Sequence, residues 1–326
     1  MSIEQVLILP HIKVHNANAL SSPYTIGFPA VTGFMGAVHA LQRKVNAKGL
    51  NVNFDAVGII SHDANLQTYK GTNDFVHSIV GTGNPLEPKT EKGKPPENAV
   101  RPSFIEEARI HLDISLVVKF TGIELEERDE LIDLVNKLLS GHMKIAGGDV
   151  FSHQGAQIHI VDTNEEEGLK KLQRQLMPGY AFIERRDLMQ GAMEEGQDAL
   201  DSLIDYLAVH NNCEVTLDET TQEEKIKWVS KRKVSGWVVP IATGFQGISD
   251  LGQAKNQRDE DTPHRFAESV VTLGEFKMPH RINNLDQLFW RYEFEENNNL
   301  YLCQQAKALS ELPLSAWLDV QEYDEF

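Results

Sequence analysis

The sequence predicts an α+β fold, with a ferredoxin-like βαββαβ order in its first half and a mixed helical and strand region after it. Three observations carry this. Short runs rich in β-branched residues occur at 6–12, 54–63, 110–120 and 157–161, the pattern of buried or half-buried strands. Two stretches, 30–45 and 128–139, place apolar residues at helical intervals between those runs. Beyond residue 162 the pattern shifts to acidic helical segments and then to basic and aromatic ones.

The first run, VLILPHI, reads as a buried strand, and a polar turn follows it with Asn16, Asn18, Ser21, Ser22 and Thr25. Pro29 suits the first turn of the next helix. That helix has two stripes. Phe34, Val38, Leu41 and Val45 recur at i, i+4, i+7 and i+11 and would pack on a sheet, while Thr32, Gly36, His39 and Arg43 form the other. A helix start preceded by hydroxyls and amides suits a phosphate, and it reads equally as an ordinary capped helix.

FDAVGIISHD at 54–63 predicts a central strand, and IHLDISLVVKF at 110–120 its neighbour. Leu131, Leu134, Val135 and Leu138 mark the second helix, with acidic residues at its start opposing the dipole. QIHIV at 157–161 supplies the last strand, and the glycine-rich IAGGDVFSHQGA before it reads as a loop beside the first strand. This is the order that RNA-recognition domains share, so residues 1–162 are expected to be an RRM-like domain, with an insertion at about 64–103 rich in Gly and Pro. Residues 163–326 form a second region, with helices expected at 165–176 and 194–209 and a stripe of Leu200, Leu203, Ile204 and Leu207. Phe289, Trp290, Tyr292 and Phe294 are expected to anchor its end to the body.

Composition narrows the function. The chain of 326 residues carries a net charge of −17, spread as −3 over 1–161, −11 over 162–224, +4 over 225–281 and −7 over 282–326. Within residues 1–50 the balance is +3. An acidic total argues against long nonspecific phosphate binding, and the acidic blocks read as solvated faces or surfaces for protein partners. No membrane-spanning run or signal peptide is visible, and Cys213 and Cys303 have no metal spacing, so a cytoplasmic chain with reduced thiols, no metal and no cofactor is expected. GNPLEPKT at 83–90 approaches a P-loop, but Pro88 replaces its second glycine and removes an amide from the phosphate cradle. His11, His15 and His39 lie near the first strand and helix without metal-ligand spacing.

Five long strings carry a resemblance: ANALSSPYTIGFPAVTGFMGAVHALQRK from Ala17, MPGYAFIERRDL from Met177, GWVVPIATGFQGIS from Gly236, RDEDTPHRFAESVVTLGEF from Arg258 and MPHRINNLDQLFWRY from Met278. Together they resemble the second subunit of the Csy complex, the Cascade-type surveillance assembly of type I-F CRISPR antiviral defense. The resemblance implies a non-catalytic RNA-binding subunit of a ribonucleoprotein, holding the 5′ handle of the guide RNA. Its implied partners are that RNA, the large subunit, an adjacent backbone subunit and, through the complex, target DNA; no membrane is implied. The alternative from another class is a metal-independent endoribonuclease acting on CRISPR repeat RNA, with His39 or His15 as base.

Within the resembling strings, Asn18, Ser21, Ser22 and Thr25 are the expected donors to phosphate and sugar, with Gln42 and Arg43 closing the same face. Arg43 reads equally as a solvated cation at a helix end. Gly147 and Gly148 suit either a close RNA backbone or a tight turn. In the second half the candidates are Gln246, Arg258, Arg265, His280 and Arg281, with Arg258 able instead to pair with residues 259–261 and Arg265 with Glu268. Phe245 and Trp237 are candidate stacking rings, and Phe34 is expected in the core.

Overall fold

The computed structural model describes residues 3–81, 107–162, 166–217, 224–255, 257, 259 and 261–305. The fold is α+β and rich in sheet. Contacts divide the described chain into two units, one built from residues 5–55 and 61–160, the other from 3–4, 56–60 and the residues from 161 onward.

The first of these begins with β1 (Ile3–Asn18), which runs into a small hairpin of β2 (Leu20–Ser22) and β3 (Thr25–Ile26) and then α1 (Val31–Asn46). β4 (Asn53–Leu66) follows, then the two-residue strands β5 (Thr68–Tyr69) and β6 (Ser78–Ile79), β7 (Arg109–Thr121), α2 (Arg128–His142), β8 (Lys144–Ile145), β9 (Gly148–Ser152) and β10 (Gln157–Asp162). β1 lies antiparallel between β7 and β9, and β10 also pairs with it. β4 lies on the other side of β7, where Thr121 Oγ1 donates to Asp55 at 3.2 Å. The expected apolar stripe of α1 is the buried one: Phe34, Val38, Leu41 and Val45 are buried, as are Ile12, Val14, Ile114 and Leu131 of the neighbouring elements, and Gly36, His39 and Arg43 stay exposed.

Two expectations change here. Pro29 stands one residue before the N-cap, Ala30, and not in the first turn. The glycine-rich loop is a hairpin, because Ala146 (φ 48°) and Gly147 (φ 77°) give the two successive left-handed residues of a turn that joins β8 to β9. Of the expected insertion, the β5–β6 hairpin is described, and the P-loop-like string lies outside the described residues.

The second unit holds α3 (Glu166–Gln175), β11 (Tyr180–Glu184), α4 (Arg186–Glu194), α5 (Ala199–Leu207), β12 (His210–Leu217), β13 (Glu224–Lys231), β14 (Trp237–Gly247), β15 (Ala267–Lys277), β16 (Phe289–Glu295) and β17 (Leu300–Gln305). Its strands run in the order β11-β15-β14-β17-β16, and β16 pairs through Phe289 and Trp290 with Gly58 and Val57 of β4. β12 and β13 form a separate two-stranded hairpin. The helix expected at 194–209 is α5 alone and starts later: α4 ends at Glu194, Gly196 (φ 99°) breaks the chain, and the Asp198 carboxylate accepts from Asp201 N–H at 2.8 Å to start α5. Its stripe splits accordingly. Leu203 and Leu207 pack beside Met189, Tyr206 and Leu273, whereas Leu200 and Ile204 are exposed. Among the expected anchors, Phe289 and Trp290 are buried and Trp290 Nε1 donates to Phe182 O at 3.0 Å, but Tyr292 and Phe294 are exposed. No helix among the described residues is long and apolar enough to cross a membrane.

Candidate nucleic-acid interface

The end of β1 is shaped by the Asn18 side chain, which bridges Leu20 twice, Nδ2 donating to its carbonyl and Oδ1 accepting from its amide, each at 3.1 Å. The turn then folds its hydroxyls inward: Thr25 Oγ1 lies 2.9 Å from Ser21 Oγ and 2.7 Å from Ser22 Oγ, and Ser22 Oγ accepts from Tyr24 N–H at 3.2 Å. Ser22 and Thr25 are 5% and 7% exposed, so only Asn18 and Ser21 of this set reach solvent. None of them caps α1, whose N-cap Ala30 offers no side chain to the first-turn amides. Gly33 N–H turns back to Ala30 O at 2.9 Å, and the amides beside it at the helix start lack the local acceptor that a Ser or Asp cap would supply, which favours an anion there.

The β8–β9 turn comes to the same place. Asn18 N–H donates to Ala146 O at 2.9 Å, and a Cβ on Gly33 in the first turn of α1 would lie 3.2 Å from Ala146 Cα. Gly148 is fixed by packing, since a Cβ there would fall 2.7 Å from Ala17 N and His15 O. Gly147 is exposed, and nothing lies within 4 Å of where its Cβ would be. Asn18, Ser21, the start of α1 and Gly147 are thus gathered from three separate stretches of sequence.

Gln42 and Arg43 are not part of this group. They sit eleven and twelve residues along α1, about 17 Å from its start at 1.5 Å per residue. Gln42 serves the fold, accepting from Phe54 N–H at 2.9 Å and donating to Asn53 Oδ1 at 3.3 Å, while Arg43 lies exposed in the last turn.

In the other unit, Gln246 is exposed on β14 opposite Glu268 and Leu300. Arg265 donates from Nη1 to Asn299 Oδ1 at 2.6 Å and lies along Gly247, so its expected partner Glu268 gives way to Asn299. His280 and Arg281 are exposed in a 3-10 turn (Pro279–Arg281), where Gln173 of α3 donates to Ile282 O at 2.7 Å. Arg281 and Arg185 are among the charges that add to burial in pushing the Lys277 ammonium below its ordinary value, with burial the larger cause. Arg258 lies outside the described residues. Trp237 and Phe245 are exposed rings, Trp237 tilted on Phe276 at 5.2 Å, and Phe34 is in the core as expected.

Sequence reasoning missed a set of rings on the outer face of β1 and β7. His15 stacks on Phe151 at 4.5 Å and meets His111 at 4.8 Å, and His11 stacks on His62 at 4.1 Å. His11 Nδ1 is 3.1 Å from Asp113 Oδ1, and His62 Nε2 is 2.7 Å from Ser115 Oγ. The signal was present in the alternation of Arg109, His111, Asp113 and Ser115 with Ile110, Leu112 and Ile114. Among the described residues no three His, Cys, Asp or Glu side chains are grouped to hold a metal ion.

Comparison with known proteins adds a family to this geometry. Residues 7–303 match the family described as CRISPR-associated protein (Cas_Csy2). The chain is also similar to the CRISPR-associated protein Csy2 of Pseudomonas aeruginosa (strain UCBPP-PA14), 32% identical over 322 residues that cover 91% of this chain and 94% of the relative.

Proposed function

The chain belongs to the Csy2 family of CRISPR-associated proteins, and from that membership we propose that it is the non-catalytic, RNA-binding structural subunit of a type I-F surveillance complex that holds the 5′ handle of the guide RNA. Its first unit is read as ferredoxin-like, RRM-like, which the order of β4, β7, β1 and β9 supports. The observation that carries the site is the gathering of Asn18, Ser21, the uncapped start of α1 and the bare Gly147 turn. Amides and small side chains there would hold a phosphate and sugar, and a turn without Cβ obstruction admits the RNA backbone. Sequence recognition of target DNA then belongs to base pairing by the guide, with this chain fixing the guide's end.

The large subunit docks, in this reading, on the acidic second unit, where α5 exposes Leu200 and Ile204 beside Asp201 and Glu194–Glu195 precede it. Leu200→Asp with Ile204→Asp is expected to abolish co-purification of the large subunit while leaving the melting temperature within a degree or two; undiminished co-purification refutes this surface. For the RNA site, assembled complexes carrying Asn18→Ala and Ser21→Ala are compared for protection of the handle from nuclease. Loss of handle protection with the guide's spacer still covered supports the site, and unchanged protection removes it.

The alternative, a metal-independent endoribonuclease, has one observation in its favour: the His11–Asp113 pair beside His62 and Ser115 resembles an oriented base. Against it, the two imidazoles stack at 4.1 Å and leave no gap for a phosphodiester between them. Discrete cleavage of repeat RNA by the purified chain, lost in His11→Ala, would select the enzyme.

A further inference from the structure

β1 is interrupted twice where its rings lie. The pairing with β7 slips between Leu9 and Ile12 and again between Val14 and Ala17, and each slip contains a left-handed residue, His11 (φ 47°) and Asn16 (φ 56°). Bulges re-aim side chains on a strand. For a residue such as His the left-handed conformation is unfavourable, so the backbone is strained where a ring is presented.

The second bulge builds a short stack. His15 lies flat on Phe151, with 4° between the planes, and His111 flanks it. His111 is itself held, its Nδ1 accepting from Asn16 N–H at 3.1 Å. Phe151 is 71% exposed, an unusual position for a ring in a five-residue strand. The neighbouring side chains are polar: Asn16 and Asn18 on β1, exposed Lys13 two residues before His15, Asp149 opposite His15 and bonded to Lys144 at 2.6 Å, and Arg109, which is paired with Glu107 and donates to Asn16 O at 3.4 Å. Amides, imidazole nitrogens and paired charges lie beside the rings, which suits the π-face and polar edge of an unpaired base.

We propose that the Phe151–His15 stack is a base platform, on which an unpaired nucleobase of the guide's handle lies against Phe151 while its backbone continues toward Asn18 and the Gly147 turn. The inference rests on the reading that this chain holds the handle. It adds that most of the grip is stacking: Glu107 offsets the Arg109 guanidinium on this face, which fits a chain whose net charge is −17.

The test uses the assembled complex with guide RNAs carrying a photoreactive base at one handle position at a time, and a second set of complexes with Phe151→Leu, Phe151→Trp and His15→Ala with Phe151→Ala. Expected are a crosslink to 149–153 or 13–18 from one handle position, a 5- to 150-fold loss of handle affinity in the double variant, and near-normal affinity in Phe151→Trp. That range is what about 1–3 kcal/mol per stacked base converts to. The slope of affinity against salt should be unchanged, because no phosphate contact is removed. Crosslinks elsewhere in this chain with normal binding by the double variant overturn the platform and leave the handle-holding reading intact. Crosslinks to other subunits only overturn both.

Discussion

The Arg185 guanidinium grips Asp187 side-on, with Nε 3.1 Å from Oδ1 and Nη2 3.2 Å from Oδ2, and gives Nη1 to Glu275 on β15. Arg185 is 8% exposed, and its backbone N–H donates to Leu273 O at 2.8 Å, so the fork ties the start of α4 to the sheet. Removing it leaves two largely buried carboxylates facing each other. Arg185→Ala is expected to destabilise the chain by about 3–5 kcal/mol, and Arg185→Lys to recover only part, because an ammonium cannot bind a carboxylate side-on. Urea denaturation of the three proteins decides it; equal midpoints for Arg185→Ala and the parent would show that the network is dispensable.

The neighbouring Glu184 predicts a pH dependence. Burial pushes its carboxyl up to about 7 from 4.5, against the opposing pull of Arg186 and of Gln305 N–H, which donates to Oε2 at 3.0 Å. Between those two values the folded chain holds a proton that the unfolded chain has released. The stability this group contributes is complete below pH 4.5 and is lost as pH rises through 7. Glu184→Gln keeps an acceptor for Gln305 without a charge, so it should match the parent below pH 4.5 and exceed it at pH 8, by on the order of 3 kcal/mol at most. Melting curves at both pH values test this, and parallel pH profiles for the two proteins would contradict it.

The two thiols should separate cleanly. Cys213 is exposed on the β12–β13 hairpin, while Cys303 is buried on β17 and is pushed up to about 12 by burial and then by the Glu184 charge. Since the thiolate is the reactive form, a maleimide at neutral pH should label one thiol within minutes and the second only in denaturant. Rapid double labelling of the native chain would show that β17 opens readily.

Much of the first unit was legible because its signals are periodic: Phe34, Val38, Leu41 and Val45 can only be one face of a helix. The second unit was less so. Gly196 inside an acidic helical pattern does not announce a break, and the new start at Asp198 depends on which carboxylate turns back to cap. The β8–β9 hairpin was hidden by Ala146, which takes a left-handed position usually held by Asn or Gly. At the candidate site, Asn18 and Ser21 could be named from composition, but the inward folding of Ser22 and Thr25 could not, because hydroxyls that satisfy one another look the same in sequence as hydroxyls awaiting a ligand. His15 and Phe151 are brought together by a bulge, and a bulge leaves no periodic trace.

Gly147 and Gly148 are adjacent, and substitution should separate a role in packing from one in binding. At Gly148 a methyl group meets backbone, Ala17 N and His15 O at 2.7 Å, so Gly148→Ala must shift β1 or β9 and should cost about 1–3 kcal/mol of stability. At Gly147 the space is open and only the left-handed φ of 77° opposes a side chain. Asn tolerates that conformation, so Gly147→Asn should melt within a few degrees of the parent. If the handle's backbone passes over this turn, the same Asn side chain occupies its path, and guide loading into the assembled complex should fall about tenfold or more. Normal loading by Gly147→Asn would mean that the turn is open to solvent for reasons of folding alone, since a two-residue hairpin needs a left-handed residue there whether or not RNA approaches it.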